Sequence, residues 1–170
     1  MKSYFVSLLG VMILQTWFFG AGPQFAKTVI PSSGRGMCSG VTPEDFTKVG
    51  IPVSALKEAN LDGPASAYCM YVSNAGKVEF DIFFPAGETP DDAKGTMRAV
   101  LAEVGGKFEP VQIAGADEAQ TNAAAPKDKY SASVAVRKGT AVFDINIPQN
   151  ANARQQLVML AETVLSRLKP

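Results

Sequence analysis

Histidine is absent from the 170-residue sequence, and its absence removes several classes of function. Imidazole is the commonest general base, the commonest metal ligand and the side chain that titrates nearest neutral pH. Triads of the Ser-His and Cys-His types are therefore excluded. A zinc site would have to combine both cysteines with carboxylates, and no such spacing occurs. We expect no metal, no cofactor and no catalytic residue in this chain.

An excess of charge is lacking too, because 16 basic residues balance 16 acidic ones. No basic run is present, so neither nucleic acid nor an anionic membrane surface is an expected partner. Glycine patterns of the Walker or dinucleotide-binding type are also absent. The partner classes that remain are another protein and a lipophilic small molecule.

Long apolar runs are scarce, and the one near the N-terminus, residues 4–19, follows Lys2 and precedes small residues. This arrangement is typical of a secretory signal peptide, which we assign to residues 1–26. The alternative is an uncleaved anchor, which needs about 20 apolar residues, more than this run supplies. The sequence thus predicts a periplasmic or secreted protein with no stable membrane anchor after cleavage.

Only two cysteines occur, Cys38 and Cys69, and both follow the predicted signal peptide. Export would place them in an oxidising compartment, which predicts a disulfide between them. The alternative is an exchanging redox pair, whose cysteines usually lie close in sequence at a helix start. A structural bond would pin an N-terminal helix against the first strand.

Residues 27–40 are polar and rich in glycine and serine, which predicts a flexible lead-in. Residues 41–170 are the right length for a single α+β domain. Within it, Thr-Pro-acid segments start helices at residues 42 and 89, and glycine turns join strands into two hairpins. The polar, alanine-rich segment 115–129 is predicted to be a loop.

The two predicted hairpins resemble each other in sequence. Residues 80–85 match residues 143–148, and the apolar stripes of the helices that follow align as well. Either a duplication or the generic look of such units explains this match. Both explanations predict an antiparallel sheet built from two hairpin-plus-helix units, with helices packed on it.

Alternation along the strands assigns side chains to the two faces of the sheet. One face is predicted to pack against both helices, and its residues are Phe80, Ile82, Phe143 and Ile145. The opposite face carries Tyr68, Met70 and Phe83, which form a candidate contact face for a partner or lipophilic ligand. The alternative is that the N-terminal segment covers these three side chains.

Two pairs of acids are candidates for chemistry. Asp81 and Asp144 occupy matching strand positions, and paired carboxylates are what glycoside hydrolysis uses. The alternative is that both are solvated residues of a polar strand face. Asp117 and Glu118 could contribute to a hard-cation site, but such a site needs six or more oxygens. A simple pair of loop acids is the other interpretation.

The order of motifs resembles that of small exported proteins of the PsbP-like fold, including mycobacterial lipoproteins of the LpqN kind. The matching features are Cys38, the Thr-Pro-Glu-Asp helix start at 42–45, Cys69, the segment 115–119, a hairpin and a C-terminal helix. The chain lacks the lipoprotein cysteine. The resemblance implies an antiparallel sheet with helices on both sides and a non-enzymatic accessory or binding role.

These observations predict an exported, non-enzymatic binding or accessory protein of the cell envelope. Two alternatives stay open at this point. One is a small hydrolase that uses Asp81 with Asp144, or Asp117 with Glu118. The other is a structural component of an envelope complex.

Overall fold

The computed structural model describes Ile30 and residues 34–60, 65–123 and 131–168. The predicted signal peptide, residues 1–26, lies outside the described residues. Most of the predicted lead-in up to residue 33 does so too. Its last part, Gly34–Gly40, forms a 3-10 helix in which Met37 is fully buried.

A central antiparallel sheet confirms the predicted α+β class. Its strands are β1 Glu58–Asn60, β2 Ser66–Ser73, β3 Gly76–Phe83, β4 Glu109–Pro110, β5 Glu118–Thr121, β6 Ser131–Lys138 and β7 Ala141–Pro148. They are ordered β1-β2-β3-β7-β6-β5-β4. Two-residue turns join β2 to β3 and β6 to β7, so both predicted hairpins are present.

In the described part of the chain, three α-helices accompany the sheet: α1 Pro43–Lys48, α2 Pro90–Val104 and α3 Ala153–Arg167. The start of α2 shows why the Thr-Pro-acid segment is a helix signal. The Thr89 hydroxyl accepts a hydrogen bond from the Asp92 amide, and the Asp92 carboxylate accepts one from the Thr89 amide. These two bonds satisfy backbone donors that the helix itself cannot pair, while Pro90 presets the first helical φ angle.

Helix α3 packs on the face of the sheet that was predicted to carry the core. Its buried residues Leu157, Leu160, Ala161 and Val164 join Phe80, Ile82, Phe143, Ile145 and Ile147. The 3-10 helix packs against this same core. Gly40 allows its close approach, because a Cβ there would lie 2.7 Å from the Phe80 ring.

Helix α2 lies on the opposite face, so the prediction that both helices share one face is wrong. Its buried residues Ala93, Met97 and Val100 pack against Ala135 and Val142. These last two alternate with residues of the α3 core along β6 and β7, and therefore point to the other side. Their apolar surface is what holds α2 there.

The predicted disulfide is confirmed. Cys38 and Cys69 are bonded across a sequence separation of 31, which joins the 3-10 helix to β2. Tyr71 reinforces this junction, since its hydroxyl donates to the carbonyl oxygen of Val41 at 2.9 Å. Burial raises the pKa of Tyr71 to about 12, and the nearby charge of Asp45 adds to this effect. The phenol therefore stays a donor.

One predicted loop contains a strand. Residues 118–121 of the segment 115–129 form β5, which pairs with β6, while residues 124–129 lie outside the described part. The sequence of β5, Glu-Ala-Gln-Thr, has little intrinsic strand preference. Pairing with β6 supplies the stabilisation that its composition does not.

Candidate functional site: an acidic pocket beside helix α2

A pocket of about 380 Å³ lies between the C-terminal half of α2 and the sheet. Helix α2 contacts β6 and β7, and the pocket lies beside it over the adjoining strands β3 and β2, since β7 pairs with β3 and β3 with β2. The apolar part of its lining comprises Tyr68, Phe83, Val100 and Val104. The polar part comprises Glu79, Asp81, Glu103, Ser131, Asp144 and Asn146.

Two of the carboxylates stand directly opposite each other in the sheet. Asp81 of β3 and Asp144 of β7 are register partners. In antiparallel pairs such residues have Cα atoms about 4.5 to 5.5 Å apart. Asp144 is only 3% exposed, so the expectation that both acids are solvated strand residues is wrong for Asp144.

The environment of Asp144 favours its neutral form. Burial raises the pKa of this carboxyl well above 3.8, and the charges of Asp81, Glu103 and Glu79 raise it further. The Asn146 side-chain amide opposes them by donating to Asp144 Oδ2 at 2.8 Å. Ser133 Oγ in turn donates to Asn146 Oδ1, which holds this amide in place. The pocket floor therefore retains a proton above the pH at which an exposed aspartate loses it.

The predicted contact face is divided by the structure. Tyr68 and Phe83 line the pocket, and the Tyr68 hydroxyl donates to Glu79 Oε1 at 2.8 Å. Phe83 also packs against the α2 core. Met70 is 7% exposed and does not line the pocket. Two members of the face are thus available to a ligand in the pocket.

Asp117 and Glu118 lie apart from this pocket. Both face Arg137, with Nη1 to Asp117 Oδ2 at 3.4 Å and Nε to Glu118 Oε2 at 3.5 Å. Asp117 also accepts a hydrogen bond from the Gly139 amide at 2.6 Å. These contacts connect the β5 segment to β6 and to the β6–β7 turn, so Asp117 and Glu118 have a structural role.

Two further observations bear on the kind of site. Within the described ranges, no group of three or more acidic or cysteine side chains is arranged to hold a metal ion. In the same residues, no helix has the length and apolarity needed to cross a membrane.

Comparison with protein-family models gives no match, and comparison with curated proteins gives no relative. The interpretation of the pocket consequently rests on its own geometry.

Sequence reasoning missed four polar residues of the pocket: Glu79, Glu103, Ser131 and Asn146. Alternation along β3 and β7 already places Glu79 and Asn146 on the face of Asp81 and Asp144. Glu103 has no such signal, because its position depends on which face α2 occupies. Whether all four carboxylates of the pocket lie together therefore depends on the face of the sheet on which α2 packs.

The buried carboxyl makes the stability of the protein depend on pH. Because the pKa of Asp144 is raised on folding, its favourable contribution is full below about 3.8 and is lost as the pH rises through the raised pKa. Asp144→Asn should therefore unfold at higher urea concentration than the wild type at about pH 8, with the difference vanishing toward about pH 4. Glu162→Gln, an exposed change on α3, is the control. Parallel stability curves for wild type and Asp144→Asn would contradict this expectation.

Proposed function

We propose that this chain is an exported, non-enzymatic binding or accessory protein of the cell envelope, whose ligand occupies the pocket beside α2. The observation that carries the proposal is the pocket itself, in which Tyr68, Phe83 and Val104 face a floor of carboxylates. Small-molecule sites commonly have volumes of roughly 300 to 1,000 Å³, apolar walls and a few placed polar groups. A volume of about 380 Å³ falls within that range.

Export is part of the proposal and has two supports. The sequence carries the features of a signal peptide at residues 1–26. The bond between Cys38 and Cys69 is of the kind that persists in oxidising compartments outside the cytosol. We accordingly place the protein in the periplasm or outside the cell.

The proposal extends to the PsbP-like fold and to a sheet built from two hairpin-plus-helix units. Its supports are the hairpins β2–β3 and β6–β7, each followed by a helix, and the helices on both faces of the sheet. An accessory or binding role is what the resemblance to that group of exported proteins implies.

A small hydrolase is the second candidate, because Asp81 and Asp144 form a pair in which one carboxyl holds its proton. Pairs with separated pKa values often supply an acid and a base. In glycosidases, however, the two carboxyls flank the scissile bond. Here both rise from adjacent strands on one floor of the pocket, and Asp144 is only 3% exposed, which favours a binding role over attack on a glycosidic bond. No specific observation favours a purely structural component.

Filling the pocket should test the proposal. Ser131 is exposed and lines the pocket, so Ser131→Trp should obstruct it without disturbing the core. Native mass spectrometry of the mature protein from its natural source should show a small-molecule passenger on the wild type. The Ser131→Trp variant should retain roughly a tenth or less of it.

The matched control is Val72→Trp, which adds the same bulk at a 36% exposed strand position outside the pocket lining. This control should keep its passenger. Equal retention by Ser131→Trp, or a wild type that carries none, would contradict the proposed site. Release of cleaved fragments of an added glycoside would favour the hydrolase instead.

A further inference from the structure

We infer that the pocket selects small organic molecules that carry a protonated amine on an apolar body, with the ammonium group seated against Asp81 and Asp144. This inference rests on the proposed function, since it names the ligand class of the same pocket. It follows from the charge, the hydrogen bonding and the walls of the pocket, which are independent of one another.

Charge is the first step. Among the described residues that line the pocket, four are carboxylates and none is basic. The potential inside such a cleft is negative, and a low-dielectric wall concentrates it. An anionic or carboxylate-bearing ligand is therefore disfavoured, whereas a cation is attracted.

The second step is the hydrogen bonding of Asp144. Its side chain is 3% exposed and lines the pocket, and its Oδ2 accepts from the Asn146 amide. Once ionised, this carboxylate accepts hydrogen bonds at both oxygens, and an ammonium group offers three N–H donors to it.

The walls indicate what the cation is attached to. Tyr68 and Phe83 lie on the strand side, while Val100 and Val104 lie on the α2 side. Aromatic rings attract an adjacent ammonium group and bury apolar carbon. A bare metal ion fits less well, because the described acids form no group arranged to hold one.

Ligand binding should release a proton. Before an amine binds, the Asp144 carboxyl is held neutral by burial and by the carboxylates that face it, Asp81 and Glu79 of β3 and Glu103 of α2. Its neighbour on β6 is Ala135, which brings no charge. The ammonium group takes over the role of the proton, which leaves to solvent. Affinity should consequently rise with pH until Asp144 is ionised in the free protein.

Calorimetric titration with phenethylamine and with its neutral analogue 2-phenylethanol tests this inference. Phenethylamine should bind at least about tenfold more tightly than the alcohol, because its ammonium makes charge-assisted hydrogen bonds. It should bind more weakly at about pH 5 than at about pH 8, and buffers of different ionisation enthalpy should report the released proton. Asp144→Asn should abolish the preference for the amine and the proton release. Glu103→Gln, a change at an exposed position, should reduce the preference for phenethylamine over the alcohol. This variant keeps the test valid if Asp144→Asn fails to fold.

Each outcome separates this inference from the proposed function. If both probes bind equally and Ser131→Trp abolishes both, the pocket stands and the amine preference is overturned. If phenethylamine does not bind, or binds unchanged to Asp144→Asn, the inference is likewise overturned. If the probes still bind to Ser131→Trp, their site is not this pocket, and both the inference and the proposed function are contradicted. A third probe, N-acetyl-lysine amide, identifies the source, since tighter binding than phenethylamine would assign the amine to a lysine side chain of a partner and overturn the small-molecule assignment.

Discussion

Arg167→Met is expected to lower the free energy of unfolding by roughly 3 to 5 kcal/mol, because it leaves a buried charge without its partner. Arg167 Nη1 donates to Asp45 Oδ2 at 2.6 Å, and Nη2 donates to Asp45 Oδ1 at 3.0 Å. Asp45 is only 5% exposed. Nη1 also donates to the Gly40 carbonyl at 3.0 Å, so one side chain joins α3, α1 and the 3-10 helix. Urea unfolding at neutral pH measures the loss.

Acid provides a second measurement of the same pair. Burial raises the pKa of Asp45, but hydrogen bonds from Arg167 and Thr42 outweigh it, and the net result is a lowered pKa. The stability from this pair is therefore present above the ordinary pKa of aspartate and is lost as the pH falls through the lowered value. Wild-type stability should fall more steeply in acid than that of Arg167→Met. The control is Lys94→Met, which breaks an exposed pair with Asp91 and should change little. A similar loss in both variants would show that the buried pair has no special role.

The local features of the fold could be predicted because their signals lie within a few residues of each other. The Thr-Pro-acid helix starts depend on contacts such as that between Thr89 and Asp92. The hairpins depend on alternation and on turn residues such as Gly139, whose φ of 57° suits glycine. The disulfide followed from a count of two cysteines behind a predicted export signal. None of these inferences requires knowledge of how distant elements pack.

The position of α2 could not be predicted in the same way. An apolar stripe shows that a helix packs on a sheet, but it does not say on which face. The face opposite to the predicted core also carries Phe83, Val142 and Ala135, and this apolar area is enough to hold α2. The pocket exists only because α2 lies there. For that reason, the sequence could not predict that Glu103 lines the pocket.

The pair Asp81 and Asp144 combines one feature that the sequence could predict with one that it could not. Residues 80–82 and 143–145 pair as Phe80 with Ile145, Asp81 with Asp144 and Ile82 with Phe143. A local two-fold axis between β3 and β7 would produce this register. The similarity of the two hairpin sequences is compatible with such an axis. The pairing of Asp81 with Asp144 could thus have been predicted from the repeat, whereas the burial of Asp144 could not, since α2 and α3 depart from this symmetry by lying on opposite faces.

The contacts of Phe143 predict the second large effect on stability. Its ring is fully buried and meets the ring of Phe80 edge-on, with centroids 6.1 Å apart. It belongs to the core beneath α3, on the face opposite to the pocket. Removing the ring would leave a cavity. The 3-10 helix and α3 cannot both move to fill it, because the disulfide holds the 3-10 helix and the contact between Arg167 and Asp45 holds α3.

We therefore expect Phe143→Ala to lower the free energy of unfolding by about 3 to 5 kcal/mol, through lost apolar burial and the cavity that remains. Denaturant unfolding followed by circular dichroism measures it. Phe143→Leu keeps much of the volume and should cost clearly less. Met159→Ala, at a 44% exposed position on α3, should cost little because no cavity forms. If Phe143→Ala were no more destabilising than Met159→Ala, α3 could not be packed on this face of the sheet. A normal affinity for the pocket ligand in Phe143→Leu would further show that the two faces act separately.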